Sequence, residues 1–442
     1  MAVLSLDIGT TKICALVMDE DEEAVIETRL ADNAFLSPLH HWDRQQDPER
    51  IFQIVEGLVS ELARKYGAFR CIGVTCQMHG ILYVNAAGRA ASPLYTWQDQ
   101  CASLPYASGE TYAEYLAKFS PSPVAPGYGL ATCFYHLKNS AVPTGAAKLC
   151  TIGDYIVMRL CGFSLPMMHA TNAAGMGFFD LRASRFDESA AEKAGLEASL
   201  LPRVSNDREI PGETAAGIPV SVSIGDNQAS FLGTVRDFKG SVSVNIGTGS
   251  QISLLSSDPE SQGALEARPF FDGLFLLVGA SLCGGRAYAM LEAFFQQVLA
   301  MAMAGLPEAY PHDRPLYPLM NALASAKLAE ANGEALVVNT QFAGSREDPS
   351  IRGSILNISE DNFTPAQFVR GFLNGISDEL YRLYLPVREK GSHKTLIGSG
   401  NGIRKNEPLR RILQEKFNMP LELAPHEEEA AYGAALYALA CV

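Results

Sequence analysis

The chain has 442 residues, too long for one compact core and suited to two domains of roughly 200 residues each. With 47% hydrophobic and 19% charged residues and a mean hydropathy of +0.04, it is expected to be a folded globular protein with a large core, which excludes long disordered tails. A net charge of -14 and a pI near 5.1 exclude nucleic acid and anionic membrane as partners, so any bound phosphate must be held by backbone dipoles, hydroxyls and a metal.

Residues 2–17, AVLSLDIGTTKICALV, predict an apolar strand that ends on Asp7, turns through Gly9, Thr10 and Thr11, and returns as a second strand. Gly9 lets backbone N–H groups approach an anion, the threonines add hydroxyl donors, and Asp7 sits where it could hold a hydrated magnesium ion. An ordinary hairpin turn would use the same residues. Residues 25–31 predict a third strand, so the sheet begins as a meander. Asp47 and Pro48 then predict an N-cap and first helical position, followed by apolar residues at helical spacing from Ile51 to Leu62. The strand at 71–77 ends in Gln77, Met78, His79 and Gly80, at a carboxyl end where ligands of α/β sheets collect.

At 94–100, LYTWQDQ brings Trp97, Gln98 and Asp99 together, a trio of groups that suits the apolar face and the hydroxyls of a polyol. A core tryptophan beside a capped turn is the plainer alternative. Tyr128 lies in the Pro/Gly loop 120–129, and residues 131–162 predict helix, short strand, and a helix after Asp154. Residues 220–231, VSVSIGDNQASF, predict a strand that delivers Asp226 and Asn227 at its end, and 233–240 is expected to pass between domains.

Residues 242–255, VSVNIGTGSQISLL, repeat the first hairpin, with Asn245 over Asp7 and Gly247 and Thr248 over Gly9 and Thr10. Two such turns suggest two related domains that face each other across a cleft and grip a polyphosphate from both sides. A strand pair is predicted over 269–281, a long helix opening at Gly284 and Gly285 and running to about Gly305, and a buried strand over 334–344. Thr364, Pro365 and Gln367 start another helix; residues 395–406 form a strand into a Gly-rich turn, and Pro408 opens the next helix. A short strand at 420–424 and a helix over 427–441 close the chain. A strand, glycine-rich turn and helix make a pocket for a flat heterocycle.

The N-terminus has no basic region ahead of a hydrophobic one, and the most apolar helix candidate carries Glu292, Gln296 and Gln297, so neither secretion nor membrane insertion is expected. Nine cysteines without a C-x-x-C pair are expected to be reduced thiols in the cytoplasm. Walker, Rossmann, zinc-hydrolase and serine-elbow motifs are all missing. Phosphoryl transfer to a hydroxyl needs a turn on the phosphates, a metal, and a carboxylate to take the proton. Asp226 suits the carboxylate and Asp7 the metal, although an Asp-Asn pair also forms turns.

Taken together, DIGTT (7–11), CQMHG (76–80), TWQD (96–99), PGYG (126–129), SIGDNQAS (223–230), NIGTGSQ (245–251) and GSGNGIRKNEPL (398–409) resemble the FGGY family of carbohydrate kinases, in order and over nearly the whole chain. Cys101, VNTQFAGSRED (338–348) and RKNEPL (404–409) resemble its sedoheptulokinase branch, and xylulokinase shares the Q-M-H-G cluster. The resemblance implies an α/β fold of two ribonuclease-H-like domains of the actin/hexokinase superfamily around a central cleft, residues 1–233 carrying the sugar site and base and 234–442 the nucleotide site. It implies ATP and Mg2+ as cofactors, a small-molecule sugar as partner, and transfer to a ketose hydroxyl; a homodimer is left open. Asp226 would be the catalytic base and, with Asp7, a metal ligand. Thr10, Thr11 and Lys12 would face the terminal phosphate, with Gly247 and Thr248 opposite, while Gly285, Gly400, Asn401 and Lys405 match nucleotide contacts. Gln77, Met78, His79, Trp97, Asp99, Tyr128, Asn227 and Gln251 correspond to the sugar site. The chain departs from the family pattern at Lys12, which takes a small residue's place, at Cys14, which takes a lysine's, at Cys76, which replaces a glycine, and at Gln100. A nucleotide-dependent actin-like structural or regulatory protein is the rival, since fold alone does not imply catalysis.

Overall fold

The computed structural model describes residues 1–303, 314–325, 335–345, 348 and 350–442. Its N-terminal half is built on strands β1 (Ala2–Ile8), β2 (Lys12–Asp19) and β3 (Val25–Asp32), an antiparallel meander that places Asp7 opposite Cys14. Helix α1 (Pro48–Tyr66) begins where Asp47 accepts from the N–H groups of Glu49 and Arg50, and it leads to β4 (Ile72–Cys76), which lies parallel to β1 with Thr75 beside Asp7. Short strands β5 (Gly212–Glu213), β6 (Pro219–Val220) and β7 (Ile224–Gly225) complete a seven-stranded sheet on the far side of β4.

The C-terminal half repeats this plan. Strands β8 (Ser241–Ile246) and β9 (Ser250–Ser256) form the second hairpin, β10 (Glu266–Pro269) and β11 (Phe275–Ser281) extend it antiparallel, and β12 (Thr395–Ser399) lies parallel to β8, with β13 (Leu421–Leu423) outside it. The order β3-β2-β1-β4 thus recurs as β11-β9-β8-β12. Asn245, set between Gln251 and Ser399, occupies the place that Asp7 holds between Cys14 and Thr75.

Two helices join the halves. Helix α4 (Asp226–Thr234) follows β7, and the last helix, α8 (Glu429–Leu439), packs on β1, β4 and α4. They cross so closely that a Cβ on Gly433 would overlap the Ala229 carbonyl, and one on Gly233 the Glu429 carbonyl. Side chains cannot separate these helices, so their backbones meet.

Several local expectations shift. The helix placed after Asp154 is α3 (Ile152–Cys161); Thr151 is its cap and Asp154 closes a capping box, so the acidic residue marks the third helical position. Asp226 starts a helix instead of ending a strand, because β7 spans only two residues. The helix opening at Gly284 is α5 (Gly284–Met303); its expected end near Gly305 lies outside the described residues, as do Glu334, where a buried strand was expected to begin, and Arg346 and Glu347 of the 338–348 run. Of that strand only Val337–Asn339 forms, and Val337 is exposed. Helix α6 (Pro365–Tyr384) is capped by Thr364 as expected, and α7 (Glu407–Phe417) takes Asn406 as its cap and starts one residue ahead of Pro408.

Candidate active site

Three cavities are lined by residues that the two sheets and the loops between their strands supply. The middle one, about 400 Å³, is lined by Asp7, Gly9 and Lys12 from the first hairpin, Asp226 and Asn227 from α4, and Asn245 and Gln251 from the second hairpin. Burial pushes Asp226 up to about 6, held against a larger rise by its own and Asn227's N–H groups at the helix start and by the Arg268 guanidinium. Burial pushes Asp7 up to about 7, helped by the charges of Asp226 and Glu428 and opposed by Lys12. Asn227 Oδ1 is buried and has no partner among the described residues, an acceptor left for a ligand.

Lys12 Nζ lies 2.6 Å and 2.7 Å from the two carboxylate oxygens of Glu428, just ahead of α8. Burial pulls this ammonium down, but the Glu428 bond outweighs it and leaves Lys12 above its ordinary value. The cation expected at the first phosphate turn is therefore present, parked on an acid at the rim. Cys14, in the usual lysine place, is buried and its thiol pushed well up, so it stays neutral.

The second cavity, about 760 Å³, is lined by Gly247, Thr248, Gly285, Gly400, Asn401 and Lys405, all six residues expected at the nucleotide from the C-terminal half. Gly285 N donates to the Gly247 carbonyl at 3.0 Å and Arg286 N to that of Thr248 at 2.9 Å, which seats the turn on the start of α5. A Cβ on Gly285 would overlap the Gly247 carbonyl, and Gly400, at φ +79, approaches Ile246 just as closely. Tyr288, Tyr317 and Ile376 supply flat and apolar walls that the sequence did not single out. This pocket adjoins the first through consecutive residues, Asn245 lining one and Ile246 the other.

The third cavity, about 720 Å³, lies between the halves and is lined by His79, Trp97, Tyr128, Glu266 and Gln341 among others. His79 holds φ +72, a conformation costly for a residue with a side chain. Its Nδ1 lies 2.7 Å from the Gly175 carbonyl, which can only accept, so the proton sits on Nδ1 and Nε2 is the acceptor. Its ring stacks on Tyr128 at 4.4 Å. Trp97 is 45% exposed to the cleft, and its Nε1 donates to Thr10 Oγ1 at 3.0 Å, which in turn donates to Gln77 Oε1 at 3.1 Å. Thr10 thus ties the first hairpin turn to Trp97 and Gln77, while Thr11 stands exposed beside it. A Cβ on Gly225 would meet Met78 Sδ at 2.9 Å, so this cluster reaches the residue ahead of Asp226.

Of the eight expected sugar residues, His79, Trp97 and Tyr128 line the third cavity, Gln77 and Met78 are buried, Asn227 and Gln251 line the carboxylate cavity, and Asp99 lies elsewhere. Asp99 is buried, its Oδ2 accepting from Arg44 N at 3.0 Å and its Oδ1 from Cys101 N at 3.1 Å; it shapes the loop that carries Trp97 and lines none of the three cavities. Gln251 lines the carboxylate cavity and donates to Ser253 Oγ at 3.0 Å, on the phosphate side. Glu266 and Arg268 were missed; two charges two residues apart in an apolar strand was the available signal. No group of three or more metal-ligating side chains occurs among the described residues, and none of their helices is long and apolar enough to cross a membrane.

Comparison with known proteins agrees with this geometry. The N-terminal domain of the FGGY family of carbohydrate kinases matches residues 2–233, and the C-terminal domain of that family residues 242–441. The chain is similar to the sedoheptulokinase of Mus musculus, 29% identical over 99% of this chain and 97% of that protein, and to that of Homo sapiens, 26% identical over the same shares. Its fold is that of a xylulose kinase from Rhodospirillum rubrum, with a TM-score of 0.82 over 99% of this chain and 89% of the other at 22% identity.

Proposed function

Because the chain belongs to the FGGY family of carbohydrate kinases and is an ATP-dependent sugar kinase, we propose that it phosphorylates a ketose, sedoheptulose at its terminal hydroxyl, giving sedoheptulose 7-phosphate. The observation that supports this is that Asp226 lines one cavity with residues of both hairpins, Asp7 and Gly9 from the first and Asn245 and Gln251 from the second, next to the glycine-rich pocket. The choice of a heptulose rests on full-length similarity to sedoheptulokinases.

In this proposal the C-terminal pocket holds ATP, with the purine against Tyr288 and the phosphates over Gly247 and Thr248. Lys12 leaves Glu428 and Thr11 turns inward to meet the terminal phosphate from the other side. The sugar lies on Trp97 and Tyr128, and His79 Nε2 and Asn227 Oδ1 accept from its hydroxyls. With the lower of the two raised values, Asp226 is ionised at neutral pH and takes the proton of the attacking hydroxyl. Closing the cleft excludes water, so that phosphate goes to the sugar.

Magnesium fits the donor set: two carboxylates whose pKa values are raised in a shared cavity, with room for phosphate oxygens and water, match an ion that takes one or two protein ligands. Asp7 would hold it, with Asp226 close by. When bound it would neutralise charge on the transferring phosphate. Cytoplasmic residence is part of the proposal and is supported by free cysteines, most of them buried.

The test is ADP release with sedoheptulose, D-xylulose, D-ribulose, L-fuculose and glycerol. Sedoheptulose should give the highest kcat/KM, and EDTA should abolish turnover until magnesium is restored. A higher value for D-xylulose would overturn the heptulose assignment, and no sugar-stimulated turnover would overturn the whole proposal.

A further inference from the structure

Strand β10 sends Glu266 and Arg268 from one face toward the cleft, while Ala267 between them enters the core. The Arg268 side chain is only 9% exposed, and its Nη2 donates to Glu266 Oε2 at 2.9 Å. A guanidinium carries five N–H donors, and among the described residues Glu266 is its one hydrogen-bond partner. No Arg268 nitrogen is among the fully buried atoms left without a partner, so its remaining donors keep some exposure and can be offered to a ligand.

The surroundings define that ligand. Arg268 lines a void of about 20 Å³, room for one small group, together with Met78, His79 and Gly175 of the N-terminal half. Glu266 lines both this void and the sugar-side cleft. Gln228 Nε2 donates to the Pro269 carbonyl at 2.9 Å, which pins β10 to the helix that begins at Asp226. A strand of the C-terminal half is thus fastened beside the proposed base, and Arg268 and His79 line the same small void.

We propose that Arg268 is a substrate-binding residue, donating hydrogen bonds from the C-terminal half to the carbonyl and hydroxyl oxygens of the ketose, and that Glu266, by neutralising it, makes the site select an uncharged polyol over a sugar acid. The inference rests on the sugar-kinase proposal for the cleft. Both halves then contribute to the sugar site, so a sugar bound there ties β10 to the His79 cluster.

Steady-state kinetics with sedoheptulose, D-xylulose and D-gluconate test it. Arg268→Ala should raise the KM of the preferred ketose by about 10- to 100-fold, the loss expected for charge-assisted hydrogen bonds, with the KM for ATP unchanged. Arg268→Lys keeps the charge but loses the fork and should give an intermediate value. Glu266→Gln leaves the guanidinium unmatched and should raise kcat/KM for D-gluconate relative to the ketose by about 10-fold or more. A retained melting shift with ADP shows that a variant is folded; if Arg268→Ala fails this check, the other two decide. Unchanged ketose KM in the arginine variants, with wild-type turnover intact, would overturn the inference alone. A gluconate preference that does not move in Glu266→Gln would overturn the selective role of the pair, and a wild-type protein that binds no sugar would overturn inference and proposal together.

Discussion

Asp7 and Asp226 share one cavity, and burial raises both, Asp7 to about 7 and Asp226 to about 6. A base must be ionised to accept a proton, so kcat should fall as pH drops through about 6; a profile flat down to pH 5 would mean that another group takes the proton. The same shifts set the stability of the metal-free protein. A carboxylate whose folded value lies above its unfolded value stabilises the fold when protonated, below the unfolded value near 3.8, and loses that contribution as pH rises through the folded value. Between about pH 4 and 7 this pair should therefore cost stability progressively. Asp7→Asn should raise the melting temperature in EDTA at pH 8 but not at pH 4, while lowering activity. An equal change at both pH values would show that Asp7 acts through packing and not through its charge.

Glycines govern the meeting of elements. A Cβ on Gly433 would overlap the Ala229 carbonyl where α4 and α8 cross, so Gly433→Ala should destabilise the protein by roughly 1–3 kcal/mol in urea denaturation, the usual cost of overpacking. Gly285→Ala would push on the Gly247 carbonyl, and should raise the KM for ATP while leaving that for the sugar unchanged. Equal effects on both KM values would mean that this turn does not belong to the nucleotide pocket alone. Much at this scale was legible in the sequence, because it follows from local chemistry: the two hairpins, the Asp47 and Thr364 caps, and the Gly-rich turn after β12 formed where expected. What escaped depends on distant partners. Asp99 is claimed by Arg44 N, 55 residues away in sequence, and Glu266 and Arg268 acquire meaning only when β10 meets the His79 cluster. Asp226 was placed correctly at the end of an apolar run, but the helix it starts was hidden because residues 226–234 lack a strong apolar stripe of their own.

Across the whole molecule, a net charge of -14 surrounds a cleft proposed to take phosphates. Backbone N–H groups of two glycine turns, Lys12 and Lys405, and a metal between carboxylates would hold them. Lys12 is held by Glu428 and is proposed to leave it for the phosphate, so Glu428→Gln should lower the KM for ATP, and an increase would show that the acid assists binding. The repeated strand order places one turn on each side of Asp226, and α4 and α8 link the halves on which those turns are carried. Sugar at one hundred times its dissociation constant should stabilise the protein by about 2.7 kcal/mol, as binding to the folded state alone requires. The most direct measurement is sugar-dependent ADP release by Asp226→Asn beside the unaltered protein. The variant's kcat should be lower by at least about 100-fold with sugar-induced thermal stabilisation retained, because the base is lost and the site remains; near-normal turnover in that variant would mean that Asp226 is not the base.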